Sequence, residues 1–184
     1  MNNNQTAVLI LSAGKGKRMN NPNLPKVLAP LDGKPLMWYV VKTAKNLNAD
    51  RIIGIVGHHK DMVIEYINSE FNSIEFVEQK EQLGTGHAVD QASGLLNGFQ
   101  GNVLILCGDV PLLTAGTLQS FILNHETNSA DLSVLSAETE NPFGYGRIVR
   151  DSEGNFQKIT EEKDADEEIR KVKEINSGVY FVKS

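Results

Sequence analysis

The sequence predicts an α/β fold built on a mixed, mostly parallel sheet with helices on both faces. Short apolar runs alternate four times with stretches of helical spacing between Ala7 and His125. Those runs are continuous rather than alternating in polarity, the mark of strands covered on both sides. Each is joined to the next by enough residues for a crossover helix between parallel strands.

Ala7-Val8-Leu9-Ile10-Leu11, leading to Gly14, is the first buried strand. Pro35 to Leu47 places Leu36, Val40, Val41, Ala44 and Leu47 at helical spacing, with the proline near the first turn. Arg51 to Val56 is the next strand, closed by Gly57, and Lys60 to Phe71 the next helix. Glu75-Phe76-Val77 is a short strand, and Gly86 to Leu96 returns to helical spacing. Val103-Leu104-Ile105-Leu106-Cys107 is the most hydrophobic strand, followed by a helix over Thr114 to His125. After Ala130 the character changes. Asp131 to Leu135 is one more strand, and glycines 144, 146 and 154 punctuate an expected hairpin of 147–150 and 156–159. Asp164 to Lys171 is polar, a short helix or exposed loop, and Val179 to Val182 is strand-like. The chain stops there on an apolar strand, so the expectation is a single domain, 1–184, incomplete at its C-terminus.

The 184 residues are about one domain's worth, and 40% hydrophobic content excludes intrinsic disorder. No apolar run reaches the roughly 18 residues of a membrane helix, and Met1 to Thr6 carries no basic patch of a signal peptide. The one cysteine, Cys107, excludes an internal disulfide, and its apolar flanks suggest a reduced, buried thiol in the cytoplasm. A net charge of -5 argues against a nucleic-acid binder. The charge is uneven, however. Lys15, Lys17, Arg18, Lys26 and Lys34 face only Asp32 in the first forty residues, which suggests a small anionic ligand held at one place.

The first strand runs into Ser12-Ala13-Gly14-Lys15-Gly16-Lys17-Arg18-Met19. Two glycines let the backbone turn and present N–H groups to an anion, and the cations lie at the carboxyl end of the strand. Met19 stands where a dinucleotide fingerprint needs a third glycine, and the spacing is not that of a P-loop. Lys26, after Pro25, reads alone as a solvated surface lysine. In Gln82-Leu83-Gly84-Thr85-Gly86-His87-Ala88, Thr85 fits a helix cap. The same glycines would equally let a flat ring approach the backbone, with Gln79 offering donor and acceptor to a base edge. His87 reads as structural, and the adjacent His58 and His59 diverge and make no metal site. Asp109 ends the strongest strand, where a carboxylate must be paired, capping or metal-bound. It either caps the next helix or shares a hard cation such as Mg²⁺ with phosphate oxygens. Gly144-Tyr145-Gly146-Arg147, Glu161 and Asn176 are each unremarkable alone.

Taken in order, these segments, with Gly108-Asp109-Val110-Pro111-Leu112 and Glu174-Ile175-Asn176-Ser177-Gly178, resemble a known family. It is the N-terminal uridylyltransferase domain of the bacterial bifunctional N-acetylglucosamine-1-phosphate uridylyltransferase/glucosamine-1-phosphate acetyltransferase. The glycine-lysine loop marks the wider sugar-nucleotide pyrophosphorylase superfamily; Leu-Gly-Thr-Gly-His-Ala and Gly-Tyr-Gly-Arg-Ile narrow it. The resemblance implies a Rossmann-like nucleotide-diphospho-sugar transferase fold and a cytoplasmic enzyme of cell-wall precursor synthesis. UTP and N-acetylglucosamine 1-phosphate would give UDP-N-acetylglucosamine and pyrophosphate with Mg²⁺. It implies nucleotide contacts from Leu11, Ser12, Ala13, Gly14, Lys26, Gln79, Gly84 and Thr85. Gly146, Glu161 and Asn176 would hold the sugar side, Asp109 the metal, and Arg18 and Lys26 would neutralise phosphate charge. Ser12, Lys17 and Cys107 depart from residues common in the family. Its remaining tens of residues and the trimerising β-helix acetyltransferase are absent, so neither acetyl transfer nor an oligomer is expected.

Overall fold

The computed structural model describes residues 5–14, 16 and 24–183. The described residues form two compact units. One extends to Leu132 and takes in the chain again from Phe181; the other is Ser133–Tyr180.

In the first unit, β1 (Gln5–Ser12) lies between β4 (Arg51–Val56) and β6 (Gly101–Cys107), and β5 (Glu75–Glu78) flanks β4. All of these pairings are parallel. Ala7, Val8, Leu9 and Ile10 are fully buried, as a strand with neighbours on both edges and cover on its faces must be. Ile53, Ile55, Leu104 and Leu106 complete this layer, each burial worth about 1.5–3 kcal/mol. Helix α1 (Leu36–Asn46) buries Met37, Val40, Val41 and Ala44 and packs on β1 and β4. Ahead of it, β2 (Pro30–Leu31) and β3 (Lys34–Pro35) make a small hairpin that the sequence did not signal. Helix α2 (Lys60–Glu70) turns Val63 and Ile67 inward. Helix α4 (Ala115–Thr127) starts at Thr114, whose hydroxyl accepts from the Thr117 N–H at 3.1 Å, a cap worth about 1 kcal/mol.

Helix α3 (Thr85–Asp90) is shorter than the expected Gly86–Leu96. Beyond it, Ala92 and Ser93 bond to carbonyls three residues back, Val89 and Asp90, and the chain continues as turns. Ser93 and Gly94 are poor helix formers at that point.

In the second unit, β8 (Arg147–Arg150) and β9 (Phe156–Thr160) form the expected antiparallel hairpin. Most of a further strand, β10 (Glu174–Lys183), also lies in this unit; it pairs antiparallel with β8 and is longer than its apolar tail suggested. The unit also holds most of β7 (Leu132–Glu138). The polar stretch is a 3₁₀ turn at Glu162–Asp164 and a short helix, α5 (Glu167–Arg170). Parallel and antiparallel pairings together give the mixed, mostly parallel α/β class expected from sequence. Among the described residues no helix is long and apolar enough to cross a membrane.

Candidate active site

The carboxyl ends of the first unit's parallel strands surround a cavity of about 500 Å³, within the range of small-ligand sites. Leu11, Ser12, Ala13, Gly14, Lys26, Gln79, Gly84, Thr85 and Asp109 all line it. Nine sequence-predicted positions, drawn from four separate segments, therefore converge on one space. Gly16, Val27, Gln82, Ala88 and Cys107 complete the lining. Arg18 lies outside the described residues, as do Lys15 and Lys17.

Lys26 opens a 3₁₀ turn, Lys26–Leu28, held by Leu28 N–H to the Pro25 carbonyl at 2.9 Å. Val27 and Leu28 are buried, so the turn is anchored apolar side down and Lys26 stands at the cavity. There its ammonium donates to the Asp109 carboxylate. This decides two questions the sequence left open. Lys26 is not a free-standing surface lysine, and Asp109 does not cap α4, a role taken by Thr114.

Asp109 is positioned by Gly108. The Gly108 N–H donates to the Leu11 carbonyl at 2.9 Å, continuing the β1–β6 pairing past the end of β6. A side chain at Gly108 would press on the Ser12 hydroxyl, with its Cβ 3.1 Å from the Leu11 carbonyl oxygen and 3.2 Å from Val27 Cγ1. Only glycine lets the two strand ends and the Lys26 turn close this tightly. Among the described residues no cluster of three or more His, Cys, Asp or Glu side chains could hold a metal. The donor set still suits Mg²⁺, which binds through one or two carboxylates and completes its shell with phosphate oxygens and water.

Gln79 lies at the other side of the cavity, its N–H extending the β4–β5 ladder to the Val56 carbonyl at 2.7 Å. Its side chain is buried and donates through Nε2 to the Gly84 carbonyl at 3.2 Å and to His87 Nδ1 at 3.0 Å. Gly84 has φ +110 and ψ 178, a backbone state for glycine alone, and it occupies the cap position of α3. Thr85 is thus the first helical residue rather than the cap. Sequence reasoning treated His87 as structural; its contact with Gln79 depends on a turn that spacing does not reveal.

Cys107 is partly exposed at the cavity rather than fully buried. Desolvation, and secondarily the Asp109 charge, push its thiol up to about 11. His58 and His59 do not diverge. His59 takes a left-handed backbone, φ 58, and the two rings lie 3.9 Å apart between centroids. They line a second, more polar cavity of about 490 Å³ that also reaches Gln79 and Gln82.

The second unit brings Gly146, Glu161 and Asn176 together. The Asn176 N–H donates to the Gly146 carbonyl at 2.8 Å, and a Cβ at Gly146 would lie 3.1 Å from Glu161 Oε1. Arg147, nearly fully buried, donates to the Tyr145 carbonyl and to Glu162 at 2.8 Å. The Gly144 N–H, and then Arg147, hold the Glu162 carboxyl below its ordinary range. Asn176 is itself fixed, donating to the Tyr180 hydroxyl at 2.7 Å and accepting from the Gly178 N–H at 2.9 Å.

Among curated proteins, the Bifunctional protein GlmU of Geotalea uraniireducens is 45% identical over 181 residues, 98% of this chain and 39% of that protein. Those of Geobacter sulfurreducens and Bacillus cereus are each 47% identical over 95% and 94% of this chain. The chain spans well under half the length of these relatives. Among solved structures, UDP-glucose pyrophosphorylase complexed with UDP-glucose superposes with a TM-score of 0.80 at 20% identity, over 97% of this chain and 76% of that one. HddC from Yersinia pseudotuberculosis gives 0.74 at 24% identity, over 96% and 76%. Both share the fold. Residues 8–173 match the MobA-like NTP transferase domain, and the chain belongs to that family of nucleotidyltransferases.

Proposed function

We propose that this chain transfers a uridylyl group from UTP to N-acetylglucosamine 1-phosphate, giving UDP-N-acetylglucosamine and pyrophosphate in the cytoplasm. The observation that carries the reading is the Lys26–Asp109 pair in a cavity shared with Gln79, Gly84 and Thr85. It sets a cation and a carboxylate for a triphosphate beside backbone and amide groups for a base. The identity to GlmU proteins supports the choice of base and sugar.

The sugar phosphate oxygen is anionic at neutral pH, so no general base or covalent nucleophile is needed. It attacks the α-phosphorus of UTP, and the bond to the departing pyrophosphate breaks in line. The barrier is anion–anion repulsion and the charge that builds on the leaving group. Lys26 donates to phosphate oxygens and lowers that repulsion, and Arg18 serves the same end with its fork of donors. Mg²⁺, which Asp109 would hold together with phosphate oxygens, supplies further charge neutralisation when bound. Gln79, Gly84 and Thr85 hold the uracil, and Leu11 to Gly14 border the uracil and phosphates. Glu161, Gly146 and Asn176 are the sugar-side groups, Glu161 accepting from sugar hydroxyls.

The test is pyrophosphate release on this chain with UTP, CTP and dTTP against several sugar 1-phosphates, with and without Mg²⁺. The reading predicts Mg²⁺-dependent release that is fastest with UTP and N-acetylglucosamine 1-phosphate. Faster release with another pair would give a related sugar-1-phosphate nucleotidyltransferase, and nucleotide-sugar binding without release would give a binding module.

A further inference from the structure

The Gln79 amide can be oriented from its partners without reference to any ligand. Its end nearest Gly84 meets a carbonyl oxygen, which only accepts, so that end is the NH₂. The second N–H points at His87 Nδ1, 3.0 Å away, so Nδ1 must be the unprotonated ring nitrogen and Nε2 carries the proton. The other ring nitrogen faces the Gln91 amide at 3.3 Å, and that amide is also tied to the His87 carbonyl at 3.1 Å. A neutral imidazole accepts at one nitrogen only. The shorter contact, made by the more deeply buried glutamine, takes it. Both Gln79 N–H groups are then used, and the carbonyl Oε1 is the part of the amide left to accept.

We propose that His87 is a positioning residue for base selection. By accepting at Nδ1 it locks the Gln79 amide with its carbonyl oxygen as the only group offered to a ligand in the cavity. The idea rests on the uridylyl reading above. The Watson–Crick edge of uracil has a single donor, N3–H, between two carbonyls; cytosine has a lone pair at that position. A locked acceptor accepts from the first and repels the second. An amide released from His87 can turn its NH₂ outward and accommodate either. His87 touches no ligand in this scheme; it acts through Gln79.

The experiment measures UTP and CTP binding by calorimetry, in Mg²⁺, on the parent chain, His87→Leu and His87→Asn. Leucine removes the acceptor, and asparagine restores one near the Nδ1 position. The expected result is a UTP preference in the parent that falls about ten-fold in His87→Leu and returns in His87→Asn. Long-range ¹⁵N–¹H spectra of the parent should show the His87 proton on Nε2. An unchanged UTP-to-CTP ratio in His87→Leu, an equal loss of both nucleotides without rescue by asparagine, or a proton on Nδ1 overturns the inference. Each of these leaves the uridylyl reading standing. A parent chain that binds neither nucleotide overturns that reading, and this inference with it. Should His87→Leu fail to fold, the asparagine variant and the spectra still decide.

Discussion

Lys26→Ala removes the ammonium that pairs with Asp109 while leaving Val27 and Leu28 to anchor the turn. The two side chains are 40% and 28% exposed, so in the ligand-free protein solvent screens their attraction. Their pairing contributes about 0–1 kcal/mol to stability. For a chain of this length a loss of that size lowers the Tm by about 2–4 °C at most. Against phosphate the magnitude differs, because a charge-assisted donor to a bound anion contributes about 2–3 kcal/mol. That corresponds to a fall of roughly 30- to 150-fold in kcat/KM for UTP. Initial rates of pyrophosphate release with varied UTP and saturating sugar phosphate, read beside calorimetric Tm values, separate the two effects. A variant whose kcat and KM for UTP stay within about two-fold of the parent, at any Tm, would return Lys26 to the role of a structural ion-pair partner and refute the reasoning.

Three further outcomes are expected. Asp109→Asn keeps the shape of the carboxylate and should abolish most Mg²⁺-dependent turnover with little change in circular dichroism; undiminished turnover counts against a metal role. Glu161→Ala should raise the KM for the sugar phosphate and leave that for UTP unchanged, so a defect confined to UTP would mean its role is misassigned. Cys107, with its thiol pushed up to about 11 from the ordinary 9.0, should react slowly with iodoacetamide at pH 8 and at a normal rate in denaturant. Below pH 9 folded and unfolded chains both keep the proton; between 9 and about 11 the unfolded chain loses it first, so stability declines as pH rises through that window. Fast alkylation of the folded chain at pH 8 would contradict the shift.

The fold was legible because its signals are local. Ala7–Leu11, Arg51–Val56 and Val103–Cys107 are continuous apolar runs, and such runs need cover on both faces wherever they fall. The helix over Gly86–Leu96 was overextended because periodicity counts apolar positions and is blind to the weak propensities of Ser93 and Gly94. The nine cavity residues were legible as short motifs, although spacing left the roles of Thr85, Lys26 and Asp109 undecided. Thr85 was decided by the backbone state of Gly84, and Asp109 by Thr114 occupying the cap. What remained hidden depends on contacts between separate segments and on local backbone states. Gly108 against Leu11 is of the first kind; the tilted His58–His59 ring pair beside a left-handed His59 and the Gln79–His87 contact are of the second. No count along the chain reports them.

The account turns on one arrangement, a cation and a carboxylate at the mouth of β1 and β6 with base-recognition groups at the far side of the same cavity. A crystal structure of this chain soaked with UTP and Mg²⁺ reads that arrangement directly. The account predicts the uracil against Gln79 and Gly84, with the triphosphate between Lys26 and the ion on Asp109. A nucleotide bound outside this cavity, or with its phosphates at Gln79 and its base at Lys26, would contradict it.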